Sequence, residues 1–305
     1  MKRILLIVLI AATIYVPAFA QEDTTIIKTD SAAAIVDTIA QPVAVNMMTP
    51  TKKRRSDQVY SINAGADITI TALAAGWSGY AFTKIYSKDD ITMAELEGLN
   101  RDNIPGFDRW AIRPFNEKID KDSYIPFYGA MPAPLVMILL DKKMRKDGFK
   151  LAFLYLETMA VTGLLYTGSM YLTNRYRPYV YDERSPMDKR LTGNSKNSFY
   201  AGHVHLVGSS MFFIAKVWSD YHPESKAKWL WYTGAAAVTG ATAWMRHQAG
   251  MHFPSDLILG AGLGAATGIL VPALHKNKSA DDRLSLTPYF GAGNSGGFSL
   301  VYTFK

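Results

Sequence analysis

Two histidines, an arginine and an aspartate crowd into one short stretch, Met245 to Asp256, which reads Met-Arg-His-Gln-Ala-Gly-Met-His-Phe-Pro-Ser-Asp between two long apolar runs. Proline is favoured in the first turn of a helix, so Pro254 predicts a helix that begins there. Asp256 then lies one turn beyond His252 and can accept a hydrogen bond from its ring N–H. Such a contact fixes the tautomer and raises the basicity of the other ring nitrogen, as a nucleophilic or basic imidazole requires. Arg246 adds a permanent cation with a planar donor fork suited to an oxyanion. For any one of these residues alone, the plainer reading is a polar loop between two buried helices.

Two other sites are related to this one by chemistry. Asn174-Arg175-Tyr176-Arg177-Pro178 follows one apolar segment, and Ser198-Phe199-Tyr200-Ala201-Gly202-His203 opens the next. A bundle that brings the ends of neighbouring helices together would gather Arg177, His203, Arg246 and His252 at one mouth. Two arginines, a helix N-terminus opened by Gly202 and two histidines make a site for a tetrahedral oxyanion. The competing chemistry is a metal held by His203, His205, His247, His252 and Asp256. Against it, the arginines would repel a cation, and His203 and His205 on one helix would point to different faces. No metal or other cofactor is therefore expected.

Six apolar segments must position these groups, near 62–83, 124–140, 151–172, 203–218, 229–245 and 256–274. Each is long enough for a helix buried on most sides, and frequent Gly and Ala (Gly234, Gly240, Gly260, Gly262, Gly264, Gly268) permit close helix packing. After Lys276 the pattern alternates: Phe298, Leu300, Tyr302 and Phe304 share one face, and Leu284 to Phe290 can pair with them across a Gly-rich turn. The expected fold is all-α, a bundle of about six helices over 60–276 with a short C-terminal β-hairpin over 277–305. Residues 1–20 read as an export signal, with Lys2 and Arg3 before the apolar run Ile4 to Val16 and Ala18-Phe19-Ala20 before Gln21. Residues 21–59 read as a disordered linker that carries the basic run Lys52-Lys53-Arg54-Arg55.

Composition narrows the chemistry. The 305 residues include no cysteine, which excludes disulfides, thiolate catalysis and Cys-ligated zinc. The net charge of +7 suits anionic substrates or lipid headgroups, and it is too diffuse to indicate nucleic acid. The Lys142, Lys143, Arg145, Lys146 and Lys150 cluster belongs in the cytoplasm by the positive-inside rule. With an exported start, five membrane spans satisfy that rule, and the loops 173–202 and 246–255 then face the periplasm. The expected location is the inner membrane with a periplasm-facing site; a soluble periplasmic domain is the alternative. Glu157, inside an apolar segment, calls for a partner or a cavity.

At these residues the chain resembles the type 2 phosphatidic acid phosphatases, which share a fold with bacterial non-specific acid phosphatases and vanadium haloperoxidases. The family pattern is Lys, six residues, Arg-Pro; then Pro-Ser-Gly-His; then Ser-Arg, five residues, His, three residues, Asp. Arg177-Pro178, Gly202-His203 and Arg246, His252 and Asp256 fit in order and spacing over about residues 120 to 275. The family lysine falls at Met170, its Pro-Ser at Tyr200-Ala201 and its serine before the arginine at Met245, so three side-chain donors are absent. Each lost charged hydrogen bond to an anion costs about 1.5–3 kcal/mol; Arg175, Lys196 and His205 are candidate replacements. The resemblance implies a metal-independent phosphatase acting on phosphomonoesters or diphosphates of anionic lipids or isoprenoids. In it His252 attacks phosphorus, Asp256 orients the ring, His203 serves as acid and base, and Arg177, Arg246 and the Gly202 backbone hold the phosphate. The alternative is a weakened or inactive member of the fold acting as a binding or structural envelope protein.

Overall fold

The computed structural model describes residues 58–277 and the backbone of 284–290 and 296–302. The expected export signal, the linker up to residue 57 and the basic run Lys52 to Arg55 lie outside the described residues. The described chain is mostly helical, and all six apolar segments form helix.

The first long helix, α1 (Ala64–Ile85), starts where the Asn63 side chain accepts the N–H groups of Gly65 and Ala66, and Asp67 accepts the N–H of Asn63. Those bonds satisfy donors that a helix start otherwise leaves bare. Short helices α2 (Met93–Glu97), α3 (Gly106–Arg109) and α4 (Glu117–Asp122) follow. The single helix expected over 124–140 is instead two, α5 (Tyr124–Ala130) and α6 (Ala133–Leu140). Pro132 and Pro134 lack the N–H that a continuous helix needs at those positions. Then come α7 (Gly148–Leu172), the short α8 (Met187–Leu191), α9 (Gly202–Tyr221), α10 (Lys228–Gln248) and α11 (Pro254–His275).

Helix α9 is central and packs against α7, α10 and α11, while α1 lies along α7. The α9–α11 crossing is close because glycines line it. A Cβ at Gly264 would sit 2.7 Å from the His205 carbonyl oxygen, one at Gly260 2.7 Å from that of Ala201, and one at Gly268 2.5 Å from that of Ser209. The same approach sets the two helix starts side by side, where the Ala201 N–H donates to the Asp256 carbonyl at 3.2 Å. Gly264→Ala should therefore cost about 1–3 kcal/mol by forced separation of the two backbones. Thermal unfolding of the variant checks this, and an unchanged midpoint would show that the crossing is slack.

Two apolar clusters brace the bundle. Tyr60, Leu151, Leu154, Phe213, Val217 and Val271 form one, and Ile91, Tyr179, Val180, Ala249 and Met251 form another beneath the loops that carry the motifs. The outer surface keeps Leu139, Leu140, Leu156, Ile258 and Leu270 exposed. The runs Glu117–Leu140, Met144–Leu172 and Pro254–His275 are long and apolar enough to cross a membrane. Of the five spans expected, those over 203–218 and 229–245 are not among them. The C-terminal β-hairpin is not supported as part of this fold and stays an expectation.

Candidate active site

The ends of four helices meet at the motifs. Helix α7 runs into the loop that carries Arg175 and Arg177, α9 opens with Gly202 and His203, α10 closes with Arg246, and His252 lies just before Pro254 of α11. His252 is 2% exposed, Arg246 1% and Arg177 6%. Arg177, Arg246 and His203 all act electrostatically on His252, so the four groups gather as the spacing of the motifs predicts.

His252 Nδ1 lies 2.7 Å from the backbone carbonyl oxygen of Ser198. A carbonyl only accepts, so Nδ1 carries the proton and Nε2 keeps its lone pair. The expected direct bond from His252 to Asp256 is not made, because the carboxylate is 3.9 Å from Nδ1. Asp256 instead accepts from Ser198 Oγ at 2.7 Å, from the Phe253 N–H at 2.9 Å and from Arg175. Its hold on the ring is indirect: it clamps both Ser198, whose carbonyl orients the imidazole, and the residue that follows His252.

Burial, and after it Arg177 and Arg246, hold His252 well below the ordinary histidine value. The unfolded chain takes up this proton near pH 6.5 and the native site resists it, so the residue's contribution to stability declines as pH falls below about 6.5. Nitrogen NMR on histidine-labelled protein should find His252 neutral at about pH 5.5, where a free imidazole is mostly protonated. A midpoint near the free value would contradict this environment.

The arginines differ in how their donors are used. Arg246 donates from Nη1 to Asp120 Oδ1 and to Ser123 Oγ, the latter at 3.0 Å, and its buried Nε has no protein partner. Among the described residues the Arg177 side chain reaches the Met251 sulfur at 3.2 Å and Asn194 Oδ1 at 3.5 Å, and its buried Nε has no partner. His203 packs edge-on against Tyr124 and tilted against Phe127, with ring centroids 4.7 and 4.5 Å away, and its buried Nε2 has no partner among the described residues. Buried polar atoms normally find partners. Here three nitrogens without one among the described residues fall on three neighbouring motif residues.

Gly202 has a role the sequence did not suggest. A Cβ there would sit 2.3 Å from the Tyr166 ring, so glycine is what lets that ring close over the start of α9. The candidate replacements for the missing donors are engaged elsewhere. Arg175 bridges Asp108 at 2.7 Å and Asp256, stacked 4.7 Å from the Phe253 ring centre. Lys196 pairs with Glu95 at 3.3 Å, and His205 turns to Tyr200 at 2.8 Å and Thr267 at 3.4 Å. At the position of the family lysine, Met170 is buried in an apolar cluster with Ala81 and Ile85. His247 rests on Trp110 with ring centroids 5.1 Å apart.

Several functional neighbours escaped the sequence. Asp108 is 2% exposed and also accepts the Ser255 N–H at 2.9 Å, yet in the sequence it is one acid in a polar stretch. Asp120 and Ser123 read as ordinary solvated residues, and only the fold brings them onto Arg246. Tyr124 and Phe127 carried no signal beyond hydrophobicity. The acidic loop between the first two motifs forms its own Asp182–Arg184 pair. It lines, with Leu96, Tyr181 and Arg190, a cleft of about 840 Å³ that contains none of the four motif groups.

The fold sets two histidines, His203 and His252, and two arginines, Arg177 and Arg246, together at the ends of its helices. Residues 151–280 match the model of the PAP2 superfamily. Among solved structures the chain is similar to "the first transmembrane PAP2 type phosphatidylglycerolphosphate phosphatase from Bacillus subtilis", with 16% identity over 68% of this chain and 94% of that one and a TM-score of 0.39. No curated protein matches. The superfamily match supports a phosphatase-type function.

Proposed function

We propose that the protein hydrolyses phosphomonoesters or diphosphates of anionic lipids or isoprenoids through a phosphohistidine intermediate, without a metal. The observation that carries this reading is the convergence of His252, with its Nδ1–H tied to a carbonyl, on two buried arginines and a half-buried histidine, each with a buried nitrogen that has no partner among the described residues. His252 Nε2 attacks phosphorus as the bond to the leaving oxygen breaks. Arg177 and Arg246 stabilise the charge on the equatorial oxygens, the dominant contribution in phosphoryl transfer. His203 gives its proton to the leaving oxygen, then takes one from the water that splits the P–N bond. A phosphate dianion between the arginines also attracts the proton that His203 must carry.

The apolar outer surface and the three runs long enough to cross a bilayer support a lipid-borne substrate and an inner-membrane location. On the five-span reading the site faces the periplasm. The test is phosphate release by purified protein, with and without chelator, from phosphatidic acid, an isoprenyl diphosphate and a small aryl phosphate. Absence of release from all of them would reject the proposal.

Two observations favour a second reading, a binding protein with little turnover. Met170 fills an apolar cluster where the family places a cation, and Asp120 already occupies part of Arg246. Saturable binding of a lipid phosphate by wild-type protein that releases no phosphate would support it.

A further inference from the structure

Glu157, the carboxylate inside an apolar segment, has companions at the opposite end of α11 from the active site. Helix α11 begins beside His252 and ends at His275, and at 1.5 Å per residue that separation is roughly 30 Å. His275 Nε2 lies 3.2 Å from Asp67 Oδ2 and 3.3 Å from Glu157 Oε2, and the three ligand atoms fall within 4.8 Å of one another. Each residue comes from a different long helix: Asp67 from α1, Glu157 from α7 and His275 from α11. We propose that Asp67, Glu157 and His275 form a divalent transition-metal site, of which zinc is the natural occupant by ligand type, and that the ion staples α1 to the bundle.

Four features point to a cation. His275 Nδ1 lies 2.8 Å from the Val271 carbonyl, so Nδ1 carries a proton and Nε2 is the nitrogen left to face the two carboxylates. Metal-bound histidines are commonly fixed through the other nitrogen in this way. Glu157 is 4% exposed, and its Oε2, aimed at the imidazole 3.3 Å away, makes no hydrogen bond of good geometry among the described residues. Charge-assisted hydrogen bonds close to about 2.7–2.9 Å, whereas ligands on a tetrahedral ion with bonds of about 2.0 Å stand about 3.3 Å apart. The spacings of 3.2 and 3.3 Å fit the second geometry. Charge agrees as well: a protonated imidazole brings one positive charge to two buried carboxylates, and a divalent ion on the neutral ring brings two. One nitrogen and two carboxylate oxygens suit zinc with water in the fourth position. The sequence held part of this, in an unexplained Glu157; Asp67 and His275 lie far from it in the chain and only the fold assembles them.

The experiment strips full-length protein with a chelator, removes the chelator, and titrates zinc ion alone while metal content and thermal unfolding are followed. Wild type should retain one zinc per chain and unfold at a higher temperature with zinc than without. Glu157→Gln and His275→Gln should weaken zinc at least about 100-fold, and His252→Ala should retain it, which separates this site from the active-site histidines. Equal zinc binding by the Glu157 and His275 variants would overturn the proposal, as would a wild type whose zinc content and unfolding do not respond to the ion. If a variant fails to fold, the wild type still decides: cobalt(II) loaded in place of zinc must give the absorption bands of a four-coordinate N/O site that zinc abolishes. Absence of those bands would show an ion-paired triad without metal.

Discussion

Replacing His252 with alanine should lower phosphate release by about 10⁴-fold or more, with little change in KM. The size of the effect follows from the geometry. The Nδ1–H is committed to the Ser198 carbonyl at 2.7 Å, so in the proposed mechanism Nε2 is the nitrogen that attacks, and burial with two arginines disfavours its protonation. Alanine removes the attacking atom and leaves Arg177 and Arg246 to bind substrate, so the loss should fall on kcat. His203→Ala should cost less, about 10²–10⁴-fold, and least for an aryl phosphate, whose leaving oxygen needs no proton. Steady-state kinetics on a lipid phosphate and an aryl phosphate check both statements. An unchanged rate in His252→Ala would remove the phosphohistidine step. A uniform loss for both substrates in His203→Ala would remove the general acid.

The second large effect is expected at Arg175, on stability. Its guanidinium joins Asp108 and Asp256, which are 2% and 0% exposed, and Arg175→Met leaves both carboxylates buried without their cation. Breaking such an arrangement costs roughly 3–5 kcal/mol. In a domain of this size that is a fall of roughly 6–20 °C in Tm. Lysine should rescue little, because one ammonium cannot span two carboxylates as the planar fork does. Activity should fall as well, since Asp256 clamps the residue whose carbonyl orients His252. A Tm shift under about 2 °C would show that the network is solvated or redundant.

The sequence by itself determined the helical class, the places of the six apolar segments and the identity of the four groups at the mouth. Helical periodicity, Pro254 and the fixed spacing of Arg246, His252 and Asp256 are local properties, and local properties survive in a one-dimensional reading. The tertiary structure decided who touches whom. Asp256 was expected on His252 because the two lie one turn apart. The fold instead offers the imidazole a carbonyl from Ser198, and offers Asp256 an arginine from a third segment. Arg175 looked like a spare phosphate ligand until Asp108, 67 positions away, claimed it. Met170 departs from the family pattern in the sequence, and only packing shows that its place has become part of an apolar cluster. Likewise the glycines of α11 announced close packing, but not that their partners would be the backbone oxygens of α9. In each case the deciding contact joins residues distant in the chain, and its energy depends on burial and approach that spacing along the sequence does not encode.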